Sequence, residues 1–103
     1  MKLLTKEISR KLPLLSSMDG CGDNAMAQVK LFTPWDNWTW YGIEFDPQSE
    51  IMFGLTVSPM ETVLGYWDLA ELRDVQGPFY LKIERDINFT PKTIGECRRL
   101  HAS

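Results

Sequence analysis

Histidine occurs once in the 103 residues, at His101, and cysteine twice, at Cys21 and Cys97. The cysteines are far apart and form no Cys-x-x-Cys pair, so the closely spaced ligands of a zinc site are missing. No metal and no cofactor are expected. A single histidine near the end of the chain also leaves no Ser–His–Asp or Cys–His arrangement for nucleophilic catalysis, so no catalytic residue is assigned. Long apolar runs are absent too. The opening stretch MKLLTKEISRKLPLL is broken by Lys6, Glu7, Arg10 and Lys11, unlike the continuous apolar segment of a signal peptide. No stretch reaches the roughly 20 apolar residues that span a bilayer. The expected location is the cytoplasm of a bacterial type of cell, with no membrane partner and with both cysteines as free thiols. Positive charge is not in excess: 11 Lys and Arg against 14 Asp and Glu give a net charge of −3 and a pI near 5.0. The chain as a whole lacks the basic balance of a duplex-binding module.

What remains is ordinary for one globular domain covering residues 1–103, with 44% apolar and 24% charged residues. Leu4, Ile8 and Leu12 recur at helical spacing, with Thr5 as a cap and Pro13 as a stop. Ser16 to Asn24, SSMDGCGDN, has loop composition. It lacks the Lys-Ser/Thr that a phosphate-binding P-loop places after its second glycine. AMAQVKLF, WTWYGIEF, IMFGLTV and TVLGYW read as strands. The connections PWDN, DPQSE and PME are too short for parallel crossovers, so the strands should form an antiparallel meander. DLAELRDV reads as a helix in which Asp68 and Glu71 have capping-box spacing. FYLKIERDINF reads as a further strand with Leu81 and Ile83 on one face. The segment TPKTIGECRRLHA reads as a last helix, with Thr93 and Glu96 again at capping-box spacing. Its apolar stripe is Ile94, Cys97 and Leu100. The expected fold is α+β: an antiparallel sheet of about five strands with short N-terminal, middle and C-terminal helices packed on it.

The aromatic density of FTPWDNWTWYGIEF is the most unusual feature. Strand alternation places Thr39, Tyr41, Ile43 and Phe45 on one face and Trp38, Trp40, Gly42 and Glu44 on the other. One explanation is core packing, with indoles lying across the sheet glycines Gly42, Gly54 and Gly65. The other is a platform for unpaired bases, made by Trp38 and Trp40 with Lys30 and Lys82 nearby and Arg85 flanking. Trp35 sits in a turn and is either a cap on the core or an exposed contact. Carboxylates pair at i, i+2 as Glu44 with Asp46 and as Glu84 with Asp86. That spacing puts both on one strand face, where they could share acid–base work or hold a hard cation. Asp46 precedes Pro47 and suits a turn, and Glu84–Arg85–Asp86 suits a solvated strand end.

The blocks FTPWDNWTWYGIEFDP, MFGL, LGYWDLAELRDVQGP and IERDINFTP, with the opening MKLLTKEISRKLP, span nearly the whole chain. They resemble a bacterial family catalogued as domain of unknown function twenty-nine fifty-eight. The resemblance implies a setting of plasmids, phages and integrative elements, and it supplies no catalytic residues. Where relatives often read Arg-Gly-Pro, this chain has Gln76-Gly77-Pro78, and Cys21 and Cys97 fall outside the family pattern. The resulting expectation is a small non-enzymatic binding protein that occupies a host protein or a nucleoprotein complex, counter-defence being one such role. Its contact residues are expected to be Trp35, Asp36, Asn37, Glu84, Arg85 and Asp86. Nucleic acid is the alternative partner, through the Trp platform, and a small carboxylate-dependent enzyme is the third alternative.

Overall fold

The computed structural model describes residues 1–102. A short helix α1 (Lys6–Lys11) leads through a loop and a 3₁₀ turn (Gly22–Asn24) to strands β1 (Met26–Ala27), β2 (Val29–Phe32), β3 (Thr39–Asp46), β4 (Ile51–Val57) and β5 (Thr62–Asp68). Helix α2 (Leu69–Asp74), a 3₁₀ turn (Pro78–Tyr80), β6 (Glu84–Arg85), β7 (Lys92–Thr93) and α3 (Ile94–His101) complete the chain. The main sheet is antiparallel with order β5-β4-β3-β2-β6, and β1 and β7 form a separate two-stranded ribbon. The α+β architecture and the five-stranded sheet are those expected from the sequence.

Both faces of this sheet are covered. Leu3, Leu12, Val29, Leu31, Trp40, Phe45, Met52, Leu69 and Ile83 make one core. Ala25, Ala27, Tyr41, Ile43, Leu55, Val57, Ile94 and Cys97 make the other. This explains why β3 is buried along almost its full length, and why its residues do not alternate apolar and polar. A bulge decides which core each side chain joins. Gly42 pairs with Gly54 but Glu44 pairs with Phe53, so Ile43 is the extra residue. A bulge of this kind reverses the facing of everything beyond it. Phe45 therefore joins Trp40 and Met52, and Glu44 faces the side of Tyr41. That corrects the expected assignment, which ran simple alternation through the whole strand.

Four other expectations change. AMAQVKLF is two strands rather than one. Gln28 breaks it, so Met26–Ala27 pair with β7 while Val29–Phe32 enter the main sheet. The strand expected over Phe79–Phe89 shrinks to Glu84–Arg85. Pro78 opens a 3₁₀ turn in which Phe79 and Tyr80 take positive φ, 56° and 62°, and point outward. Asp86 then ends β6 by accepting the Asn88 N–H. Asp68 does cap α2, but its carboxylate accepts the N–H of Ala70, and no reciprocal bond from Glu71 completes a box. The box does form at α3, where Thr93 and Glu96 exchange both bonds. Ile94 and Cys97 are buried there as expected, but Leu100 is exposed. One residue further on, His101 makes the inward contact instead.

Glycine roles also differ from the expected aromatic packing. A Cβ at Gly42 would meet the Met52 sulfur and a Val29 methyl, each at 2.7 Å. A Cβ at Gly54 would collide with the Tyr41 carbonyl. No indole lies across these positions. The aromatic-over-glycine contact is elsewhere: a Cβ at Gly77 would sit 2.4 to 2.6 Å from three ring carbons of Trp35. Trp35 is thus a half-buried cap packed against the first core, which decides between the two readings of that residue.

Candidate functional site

The loop Thr33–Trp38 turns tightly because Thr33 holds both ends of it. Its N–H donates to the Trp38 carbonyl at 3.1 Å, and its hydroxyl accepts the Trp38 N–H at 3.1 Å. Asp36 accepts the N–H of Asn37 at 2.8 Å. This small knot presents Asp36, Asn37 and Trp38 on one side. Across from it, the Asp86 N–H donates to the Lys30 carbonyl at 2.9 Å, and the turn after Asp86 projects Ile87, which is exposed. Between these elements lies a cleft of about 570 Å³. Its walls include Asp36, Asn37, Trp38, Glu84, Arg85, Asp86, Lys30, Phe32, Ile87, Asn88 and His101.

Five of the six expected contact residues therefore converge, although Asn37 and Glu84 lie 47 positions apart in the chain. Trp35 is the exception, because its ring is spent on Gly77. The residues of the base-stacking alternative divide. Lys30 and Trp38 line the cleft. Trp40 is buried in the core, and Lys82 lies in a different depression, beside Arg73 and Ile83. Trp38 stacks on Trp40 with centroids 5.8 Å apart and planes inclined by 26°. One ring is available where a platform for successive bases needs several. Trp38 itself is 39% exposed.

The charges favour one sign. Among the lining side chains, three carboxylates, Asp36, Glu84 and Asp86, face two cations, Lys30 and Arg85. Both cations are already engaged: Lys30 with Asp86 at 3.6 Å, and the Arg85 guanidinium with the Lys2 carbonyl. Asp36 and Glu84 have no ion-pair partner among the described residues. At the inner end, Tyr41 and His101 share a hydrogen bond of 2.7 Å between the hydroxyl and Nε2. Burial, with Asp86 and Cys97 nearby, raises the Tyr41 pKa well above its ordinary value. Burial first and Lys30 second lower that of His101. Both groups are thus biased toward their neutral forms, as a closed structural bond requires.

The remaining carboxylate pair is taken up by the fold. The Glu44 side chain is 2% exposed and accepts the N–H of Ser16 at 2.9 Å and of Met18 at 2.5 Å. Asp46 accepts from the Ser49 hydroxyl and the Gln48 N–H, which lower its pKa. Glu44 and Asp46 share a strand face but hold different loops. The loop Ser16–Asn24 does offer backbone N–H groups to an anion, but the anion is the protein's own Glu44. Among the described residues no three His, Cys, Asp or Glu side chains gather as metal ligands, and no helix is long and apolar enough to cross a membrane.

His101, Phe32, Ile87 and Asn88 were not expected as residues of the site. Each is unremarkable in its own segment, and only the β2–β6 pairing and the docking of α3 bring them together. The signal that could have found His101 was its i+4 spacing from Cys97, on the side of α3 that carries Ile94.

A family model described as protein of unknown function, DUF2958, matches residues 3–95. No curated protein and no solved structure matches the chain.

Proposed function

The chain belongs to the DUF2958 family, and we propose that it is a binding protein whose cleft between the Thr33–Trp38 loop and the Glu84–Asn88 turn seats a basic, partly apolar segment of another protein. The observation that carries this reading is the pairing of a half-exposed Trp38 with the unpartnered carboxylates Asp36 and Glu84 in one cleft. A Lys or Arg side chain entering there would meet an aromatic face and two carboxylates, and Ile87 and Phe32 offer apolar contact beside it. An anionic ligand would meet a wall with an excess of acidic side chains, its two cationic side chains already engaged. That same balance weighs against a phosphate backbone, since single-strand binding relies on a positive groove. In the mobile-element setting that the family resemblance implies, the partner would be a host protein, bound rather than chemically altered.

The test is selection of a randomised peptide display library against the wild type and against Trp38→Ala and Glu84→Lys variants. Enrichment of Lys- or Arg-containing peptides by the wild type, lost in both variants, is the expected result. Two outcomes would overturn the reading: no enrichment over the variants, or tight binding of single-stranded oligonucleotides with a steep salt dependence.

A further inference from the structure

The two edges of the main sheet are treated differently. The β6 edge is two residues long and is covered by the N-terminal segment: the Arg85 N–H contacts the Met1 sulfur, and its guanidinium reaches the Lys2 carbonyl. The β5 edge is seven residues long, Thr62–Asp68, and only β4 pairs with it. Its sequence TVLGYWD holds no Lys, no Arg and no Pro, and its register with β4 is continuous, without a bulge. Those are the usual devices that keep an edge from pairing.

Hydrogen-bond parity shows what the edge offers. The Ser58 N–H donates to the Glu61 carbonyl at one end of the β4–β5 hairpin, and the Leu69 N–H donates to the Glu50 carbonyl at the other. Bonded pairs alternate along an antiparallel ladder, so Val63, Gly65 and Trp67 bond inward to β4. The N–H and C=O groups of Thr62, Leu64, Tyr66 and Asp68 point away from the sheet.

We propose that β5 pairs antiparallel with β5 of a second copy of this chain about a two-fold axis at Gly65, joining the two main sheets edge to edge. In that register Leu64 faces the partner's Tyr66, and Thr62 faces the partner's Asp68, each pair exchanging two backbone hydrogen bonds. Val63 faces the partner's Trp67 on the other side. Apolar residues thus meet apolar residues, the one charged residue meets a hydroxyl, and no like charges are opposed. The contact would cover Val63 and Tyr66, which are 43% and 63% exposed. Gly65 stands at the axis, where two Cα atoms of a non-bonded pair approach to about 4.5 Å. Gly42, Gly54 and Gly65 already lie in register across β3, β4 and β5, and the axis would continue that row into the second copy. Such an isologous contact closes on itself, so it ends at a dimer instead of a fibre.

The experiment uses the full chain. Sedimentation equilibrium of the wild type should report twice the monomer mass of 11.9 kDa, and Tyr66→Lys, at an exposed position, should halve it while leaving the circular dichroism unchanged. In a Cys21→Ser background, Gly65→Cys should oxidise to a covalent dimer with oxidised glutathione. A side chain fits there, the nearest atom to its Cβ being a Val63 methyl at 4.0 Å, and the Cα separation suits a disulfide. Thr62→Cys, which faces Asp68, should not cross-link. A monomer at every concentration would overturn the proposal. So would a dimer in which Gly65→Cys cross-links no better than Thr62→Cys, which would place the contact elsewhere, and so would a dimer unaffected by Tyr66→Lys.

Discussion

Replacing Glu44 by alanine should destabilise the fold more than an ordinary polar substitution. The carboxylate accepts from Ser16 and Met18 at 2.9 and 2.5 Å, at a site with 2% exposure. Hydrogen bonds to charged groups contribute roughly 1.5–3 kcal/mol each. Two of them, offset by partial re-solvation of the freed N–H groups, give an expected loss of about 3–5 kcal/mol. A domain of this size has about 5–15 kcal/mol in total, so the variant should be marginal. Each kcal/mol lowers Tm by about 4–8 °C, so the expected shift exceeds about 12 °C. Glu44→Gln keeps one acceptor and should lose roughly half as much. Urea unfolding followed by Trp emission measures both variants. Limited proteolysis should also show Ser16–Asn24 cut faster in the alanine variant under native conditions, because that loop loses its anchor. A loss within about 0.5 kcal/mol, the range of an inert surface change, would refute the reasoning. Equal losses for alanine and glutamine would refute the two-bond account.

Three further outcomes follow from the geometry. Gly77→Ala should cost about 1–3 kcal/mol by overpacking, since its Cβ lands 2.4 to 2.6 Å from the Trp35 ring; in a Trp35→Ala background the same change should cost much less, a coupling read from a double-mutant cycle. Cys97 is buried and its pKa is pushed up to about 11 by burial, so iodoacetamide at mildly alkaline pH should modify Cys21 in the native protein and leave Cys97 untouched, as intact mass shows. The lowered His101 pKa means the unfolded chain binds its proton at higher pH than the folded one. Its contribution to stability is therefore full above the ordinary histidine value of about 6.5 and is lost as pH falls through it toward the folded value. His101→Gln should flatten that part of the stability–pH curve, measured by urea titration between about pH 5 and 7.5.

Local signals carried most of the elements. The Thr5 and Thr93 caps, the turn at Asp46–Ile51 and the long strands β3, β4 and β5 depend on residues within a few positions of each other, and such interactions are written in sequence order. The family, too, was legible from its blocks of residues. Failures came where an element depends on a distant neighbour. FYLKIERDINF has strand composition, but its partners are Leu31 and Phe32 in the main sheet and Gln76 in one isolated bridge to Lys82, so only two residues become strand. Alternation along β3 was read through a bulge that a single strand cannot reveal, because a bulge exists only relative to its partner. Leu100 and His101 exchanged roles because the face of α3 that meets the core runs through Ile94, Cys97 and His101, which reaches Tyr41, while Leu100 stays exposed.

The same division holds for the site. Sequence alone marked Asp36, Asn37, Glu84, Arg85 and Asp86 by residue type, and it placed the aromatic cluster without deciding which rings were free. Burial is a property of what lies opposite, so only the tertiary structure could send Trp40 to the core, set Trp35 against Gly77 and leave Trp38 half exposed. Composition set the net charge of −3, but the sign of the cleft came from pairing. Lys30 meets Asp86 and Arg85 meets the Lys2 carbonyl, so two carboxylates remain free where the chain, brought back on itself by the sheet, places them beside an indole.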